Sequence, residues 1–244
     1  MNHTLSIFRR ELYGYFASPV AYVFIAIFLG LAGFATFSLG SFYEGGQADL
    51  RAFFAFHPWL YLFLVPSISM RLWAEERKQG TIELLMTLPI SMPQAVMGKF
   101  LASWVFAGVC LLLTFPIWIT VNYLGEPDNA VICGGYLGSF LMAGSYLAIG
   151  SCISATTKNQ VIAFVVSVVV CLLFMLSGLP PVLDFFTGWA PDFLIDAVAS
   201  FSFITHFESL TKGVIDVRNI VFFGSLIAFW LFANAIVIDI RKAE

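Results

Sequence analysis

FLASWVFAGVCLLLTFPIWITVNYL, residues 100–124, contains no Asp, Glu, Lys or Arg. An α-helix rises about 1.5 Å per residue, so about 20 apolar residues cross a hydrocarbon layer roughly 30 Å thick. The stretch exceeds that length. Five further charge-free runs cover approximately 19–42, 52–70, 131–157, 160–180 and 219–238. Each approaches or exceeds the same length. The expected fold is an all-α integral membrane protein with six transmembrane helices.

The whole chain is built for that solvent. Its 244 residues are 60% hydrophobic and 11% charged, with a mean hydropathy of +0.90. Soluble domains carry about 25% charged residues and about 45–50% apolar ones. A net charge of -3 offers no basic surplus for nucleic acid, which is excluded as a partner. Six spans leave little chain for a separate soluble domain, so residues 1–244 read as one membrane domain. Cys110, Cys133, Cys152 and Cys171 lie in or beside apolar runs without a CxxC pair and read as buried free thiols. The first apolar run is longer than a signal-peptide core and lacks an A-x-A-like site, so it reads as a retained span. Ahead of it, Leu5, Phe8, Leu12, Tyr15 and Phe16 recur at helical spacing over residues 1–17. Arg9, Arg10 and Glu11 sit off that stripe, as expected of a helix lying on the membrane surface.

Charge orients the spans. With the N-terminus cytoplasmic, Arg9, Arg10, Arg71, Arg77, Lys78, Lys99, Lys158, Arg241 and Lys242 lie inside. Only Arg51, Lys212 and Arg218 lie outside, which accounts for all 12 basic residues. The positive-inside rule therefore places both termini in the cytoplasm.

The segment 71–99, RLWAEERKQGTIELLMTLPISMPQAVMGK, becomes a cytoplasmic excursion. The second span continues as helix through Glu75, Glu76, Arg77 and Lys78. Gly80 closes that helix in the left-handed conformation, with Arg77 and Lys78 at its negative end. Thr81 is an N-cap for a short helix with Glu83 in its first turn, and Pro89 ends it. Ser91 and Gln94 form a capping box for the third span. The short helix presents Ile82, Leu84, Leu85, Met86 and Leu88. These side chains either pack back on the bundle and lipid or insert into a groove of a cytoplasmic partner.

The run E-E-R-x-x-G-T-x-E-L-L-x-T-x-P, Glu75 to Pro89, resembles the signature of type-2 ABC exporter permeases, the six-span membrane subunits of ATP-driven exporters. The stretch FSFITHFESLTKGVIDVR, residues 201–218, resembles the gliding-motility-associated branch. The resemblance implies that residues 80–89 form a coupling helix touching a separate cytoplasmic ATPase. It assigns Glu75, Glu76, Arg77, Gly80, Thr81, Glu83, Leu84, Leu85 and Pro89 to ATPase coupling. It implies two permease chains, identical or not, paired with two ATPase chains in a bacterial inner membrane, with a periplasmic or auxiliary membrane subunit as a further partner. The chain itself would be non-catalytic and carry no cofactor, with ATP and Mg on the partner ATPase.

The residues agree with that division of labour. No GxxxxGK[ST] occurs, and Gly98-Lys99-Phe100 is a lone GK at a span edge whose lysine reads as snorkelling to the interface. No HExxH or GxSxG occurs, and His3, His57 and His206 are far apart. Proton- or ion-coupled carriers keep ionisable groups within the membrane, and these runs hold none. Gly134 with Gly138, Gly135 with Ser139 and Ala26 with Gly30 make small-xxx-small pairs, read as packing within the chain. Pro66 is expected to kink the second span. Residues 180–218 mix Asp184, Asp192, Asp196, Glu208 and Asp216 with seven aromatic residues, and read as short re-entrant or interfacial helices ending near Lys212-Gly213. They would cap the outer end of the path. Two other functional classes stand beside the permease: a stand-alone channel or secondary carrier, and a membrane anchor that moves no solute.

Overall fold

The computed structural model describes residues 3–44, 46, 48–81, 91–187, 190–213 and 216–240. Its regular secondary structure over them is all helical. The helices are α1 (His3–Ala17), α2 (Pro19–Phe34), α3 (Arg51–Ala55), α4 (His57–Ser69), α5 (Arg71–Gln79), α6 (Met92–Leu112), α7 (Phe115–Leu124), α8 (Asn129–Thr156), α9 (Gln160–Leu176), α10 (Pro180–Thr187), α11 (Asp192–Ser200), α12 (Phe203–Thr211) and α13 (Val217–Ile240). A π-helical turn, Ala35–Leu39, prolongs α2.

Four helical stretches are long and apolar enough to cross a membrane: Pro19–Leu39, Met92–Leu124, Asn129–Thr156 and Val217–Ile240. The second and fifth expected runs do not form single long helices. The second is cut at Phe56, two residues before Pro58, which has no N–H to offer the preceding turn. It is cut again at Met70, so α5 is a separate helix rather than a continuation of α4. Pro66 sits inside α4, where a bend was expected. The fifth ends at Leu176 after 17 residues, where Gly178 packs against Ser202 and Pro180 starts α10. The segment 180–213 does form short helices. Of these, α11 and α12 meet at 60°, as in a broken span or re-entrant loop, and Gly213 follows α12 at φ 81.

Local signals set several helix starts. Ser18 caps α2 ahead of Pro19, Asp128 caps α8 and Asn159 caps α9, each through its side-chain oxygen. Gln94 accepts from the Ser91 N–H at 3.2 Å, completing the expected capping box. That cap starts α6 at Met92, eight residues before the apolar run, and so draws Lys99 into the helix.

The centre of the bundle is α8, which packs against α4, α5, α6, α9, α12 and α13. Its Met142 and Tyr146 to Ile149 are wholly shielded. Gly135 faces the Phe54 ring, Gly138 faces Leu210, and Ser139 bonds His57, so the small residues of α8 serve packing within the chain. Ala26 and Gly30 on α2 do not: both are exposed. Cys110, Cys152 and Cys171 are buried free thiols, whereas Cys133 is exposed.

The surface helix α1 lies along α6. Its seam differs from the apolar stripe read from spacing. Ile7 is the buried residue and Leu5 is exposed. Gly98 allows this approach, since a Cβ there would fall 2.9 Å from Ile7 Cβ. One α-turn further on, the seam carries Glu11. The Tyr15 ring then stacks on Phe106 with centroids 5.0 Å apart, and Phe16 meets Phe106 edge-on.

Candidate functional site

The helix α5 carries the acidic pair and ends as its sequence dictates. Gly80 is left-handed at φ 71, and its N–H bonds the Glu76 carbonyl. A side chain at that φ would be strained, so glycine suits the stop. Arg77 and Lys78 occupy the last turn. The Thr81 hydroxyl donates to the same Glu76 carbonyl at 3.4 Å.

One face of α5 is fixed to α8. Leu72, Trp73 and Ala74 are buried. The turn at Met70 leaves the first amide groups of α5 without partners in a preceding helical turn. Ser154 of α8 supplies them: its Oγ accepts from the N–H of Trp73 at 3.1 Å and of Ala74 at 3.0 Å. The same hydroxyl donates to the Met70 carbonyl at 2.8 Å. A serine on one helix thus caps the start of another. Trp73 Nε1 donates to Ser151 Oγ at 3.2 Å, and that oxygen also accepts from Asn234 Nδ2 of α13 at 2.8 Å. Arg77 donates to the Ala155 carbonyl at 2.6 Å, in the last turn of α8, where a cation is favoured.

The other face is electrostatic. Lys99 Nζ lies 2.8 Å from Glu76 and 3.4 Å from Glu11, and 5.2 Å from the centroid of a Trp73 ring. Lys99 is only 3% exposed. The snorkelling lysine expected from sequence is therefore the buried centre of an ion triad joining α1, α5 and α6. Two carboxylates from other helices offset part of the cost of burying its charge. Arg10 pairs with Glu11 at 2.7 Å. Burial alone raises the Glu11 carboxyl pKa, but Lys99 and Arg10 overcome it and hold it below its ordinary value of 4.5.

The sequence-derived coupling residues thus divide. Glu76 and Arg77 are tied into the bundle, Gly80 and Thr81 close α5, and Glu75 is half-buried beside a cavity. Glu83, Leu84, Leu85 and Pro89, with the short helix expected there, lie outside the described residues. Lys99, Glu11, Trp73, Ser151 and Ser154 belong to the joint and were not singled out for it. A lone lysine at the edge of an apolar run was the available signal for the first of them. The serines carried none, because their bonds span about 80 residues of sequence.

The joint meets the last turns of α8, whereas α12 packs near Gly138 in its first half, and the comparisons agree with a transport fold. Heme exporter protein B of Rhodobacter capsulatus is 34% identical over 102 residues, 41% of this chain and 47% of that protein. The match spans about half of that relative's length. Residues 47–231 match the family described as ABC-2 family transporter protein, from the loop before α3 to the middle of α13. With long apolar helices gathered around α8 and more than half its length inside that match, the chain belongs to the ABC-2 family of multi-pass membrane transporter proteins.

Proposed function

We propose that this chain is the permease subunit of an ATP-driven exporter and that α5 delivers the stroke of a separate cytoplasmic ATPase to the spans. The family supports the class. The observation that carries the mechanism is the double anchoring of α5: serines and the last turn of α8 on one face, the Glu76–Lys99–Glu11 triad on the other. A force applied beyond Gly80 has stiff routes into α8, α6 and α1. The chain itself performs no covalent chemistry in this reading, and ATP and Mg sit on the partner.

Six crossings fit this role: α2, α3 with α4, α6 with α7, α8, α9 and α13. At about 1.5 Å per residue the 17 residues of α9 reach roughly 26 Å, enough for a thin or locally adjusted bilayer. The basic residues then gather at the α5 end, which becomes cytoplasmic in a bacterial inner membrane, and α10–α12 cap the outer side. A second permease chain, identical or not, completes the membrane unit, and an auxiliary subunit could meet α10–α12. Cysteine at Asp128 is expected to label from outside with a membrane-impermeant maleimide, and cysteine at Lys158 from inside. Reversed labelling overturns the orientation.

The function is tested by co-purification with a cytoplasmic ATPase and by cargo-stimulated hydrolysis in the reconstituted complex. Heme is the first cargo to assay, because export of heme is what the relative's name states of that relative. Leu84→Glu or Leu85→Glu is expected to weaken ATPase association at least tenfold while leaving membrane insertion intact. Unchanged association and hydrolysis in both variants would remove residues 80–89 from the coupling role. A complex whose hydrolysis no cargo alters would favour a membrane anchor, and transport by the chain without ATP a channel or carrier.

A further inference from the structure

A cavity of about 960 Å³ opens between α1 and α2 on one side and α4 and α5 on the other. Its lining is of two kinds. Val20, Ala21 and Phe24 of α2, with Ile68, Leu72 and Phe106, supply apolar surface. Arg10, Glu11, Arg71, Glu75, Glu76 and Lys99 supply charge.

Most of these charges are already spent on one another. Lys99 is held by Glu76 and Glu11, and Arg10 by Glu11. The two that remain are Arg71 and Glu75. Arg71 is exposed and has no carboxylate within ion-pair distance among the described residues. Among the described residues Glu75 receives only the Gln79 amide, at 3.4 Å. They stand four residues apart on one face of α5, about 5–6 Å between Cβ atoms. A cation N-terminal to an anion is the less favourable order for a direct pair at this spacing, and they do not pair.

A free anion would meet three carboxylates here, and a free cation two guanidinium groups. A zwitterion with an apolar tail satisfies both kinds of lining. We propose that this cavity binds an aminophospholipid, its phosphate on Arg71, its ammonium on Glu75 and its acyl chains along the α2 side. Arginine presents a planar fork suited to phosphate, and an ammonium offers three N–H donors to a carboxylate. A choline headgroup has no such donors, and a glycerol headgroup has no cation. The inference rests on placing α1 and the start of α5 at the membrane surface, as in the proposed function. It does not depend on an ATPase partner or on the cargo.

The test is native mass spectrometry of the delipidated full chain. The protein is exchanged into micelles holding equal amounts of phosphatidylethanolamine, phosphatidylcholine and phosphatidylglycerol. The expected first-bound lipid is phosphatidylethanolamine, by at least fivefold over each of the others. Arg71→Ala is expected to lower its retention at least fivefold, and Glu75→Gln to bring phosphatidylethanolamine and phosphatidylcholine to parity. Both side chains border the open cavity, so neither variant removes core packing. Preference for phosphatidylglycerol, parity of all three lipids in the wild type, or wild-type retention in both variants overturns the proposal. Equal binding of water-soluble O-phosphoethanolamine overturns the lipid as its source. Failure here with Lys158 cysteine labelling from inside removes the lipid site alone, whereas reversed labelling removes the membrane placement beneath it.

Discussion

Lys99→Met is expected to destabilise the protein by about 3–5 kcal/mol, the range for a buried ion pair that loses one partner. The lysine is 3% exposed and pairs with two carboxylates brought by different helices. Methionine keeps the length of the side chain but leaves Glu76 without its ion-pair partner and Glu11 with only the exposed Arg10. Glu76 already holds an oxygen, Oε2, that has no hydrogen-bond partner among the described residues. Thermal unfolding in detergent, with the expression level beside it, measures the loss. The combined variant Lys99→Met, Glu11→Gln, Glu76→Gln is expected to regain most of it, because the carboxylate charges go with their partner. A triple variant as unstable as the single one would mean that lysine packing, not charge, holds α1 to α5.

Acid separates these two explanations further. In the wild type the Glu11 pKa is depressed below 4.5. A depressed carboxyl contributes stability above its unfolded pKa, and that contribution is lost as pH falls through the folded one. In Lys99→Met the largest lowering influence is gone and burial pushes the Glu11 pKa up. Protonation then favours the folded state. The stability gap between wild type and variant is therefore expected to narrow as pH drops from neutral through the carboxylate range. A gap that stays constant would separate the destabilisation from the triad's charge.

Lys99 also marks where sequence reading stopped. The apolar runs located the long helices because lipid imposes one rule on every residue that faces it. Caps were equally legible: Ser91 with Gln94, Asp128 and Asn159 act within three residues of themselves. Gly80 was readable for the same reason. What failed were statements about position in three dimensions. The capping box at Ser91 extends α6 ahead of the charge-free run, and Gly98 then lets α1 come close enough for Glu11 to reach Lys99. No window of sequence holds those three facts together. The break at Phe56 could have been inferred from Pro58, but apolarity alone joined the two halves. The small residues of α8 and α2 look alike in sequence, yet one set is buried and the other faces outward, because only tertiary packing distinguishes them.

Ser154→Ala is the complementary change, neutral in charge and small in volume, and its expected cost is about 2–3 kcal/mol. Alanine is the better helix former, so local propensity would favour the variant. The loss is non-local. Ser154 Oγ receives two backbone N–H groups of α5 and donates to the carbonyl at the α4–α5 turn. Buried amide groups left unsatisfied cost about 1–3 kcal/mol, more than an ordinary hydrogen bond contributes. Ser145→Ala is the control: that side chain is as buried, but its hydroxyl bonds Leu141 of its own helix, so little change is expected. The two variants remove the same atom from the same helix, and only one lies on the α5 joint. Reconstituted with its ATPase, Ser154→Ala is expected to hydrolyse ATP with weakened response to cargo, because α5 can shift without moving α8. Equal stability and equal coupling in the two variants would show that the joint does not depend on this serine, and would leave the Glu76–Lys99–Glu11 triad as the route by which α5 moves the bundle.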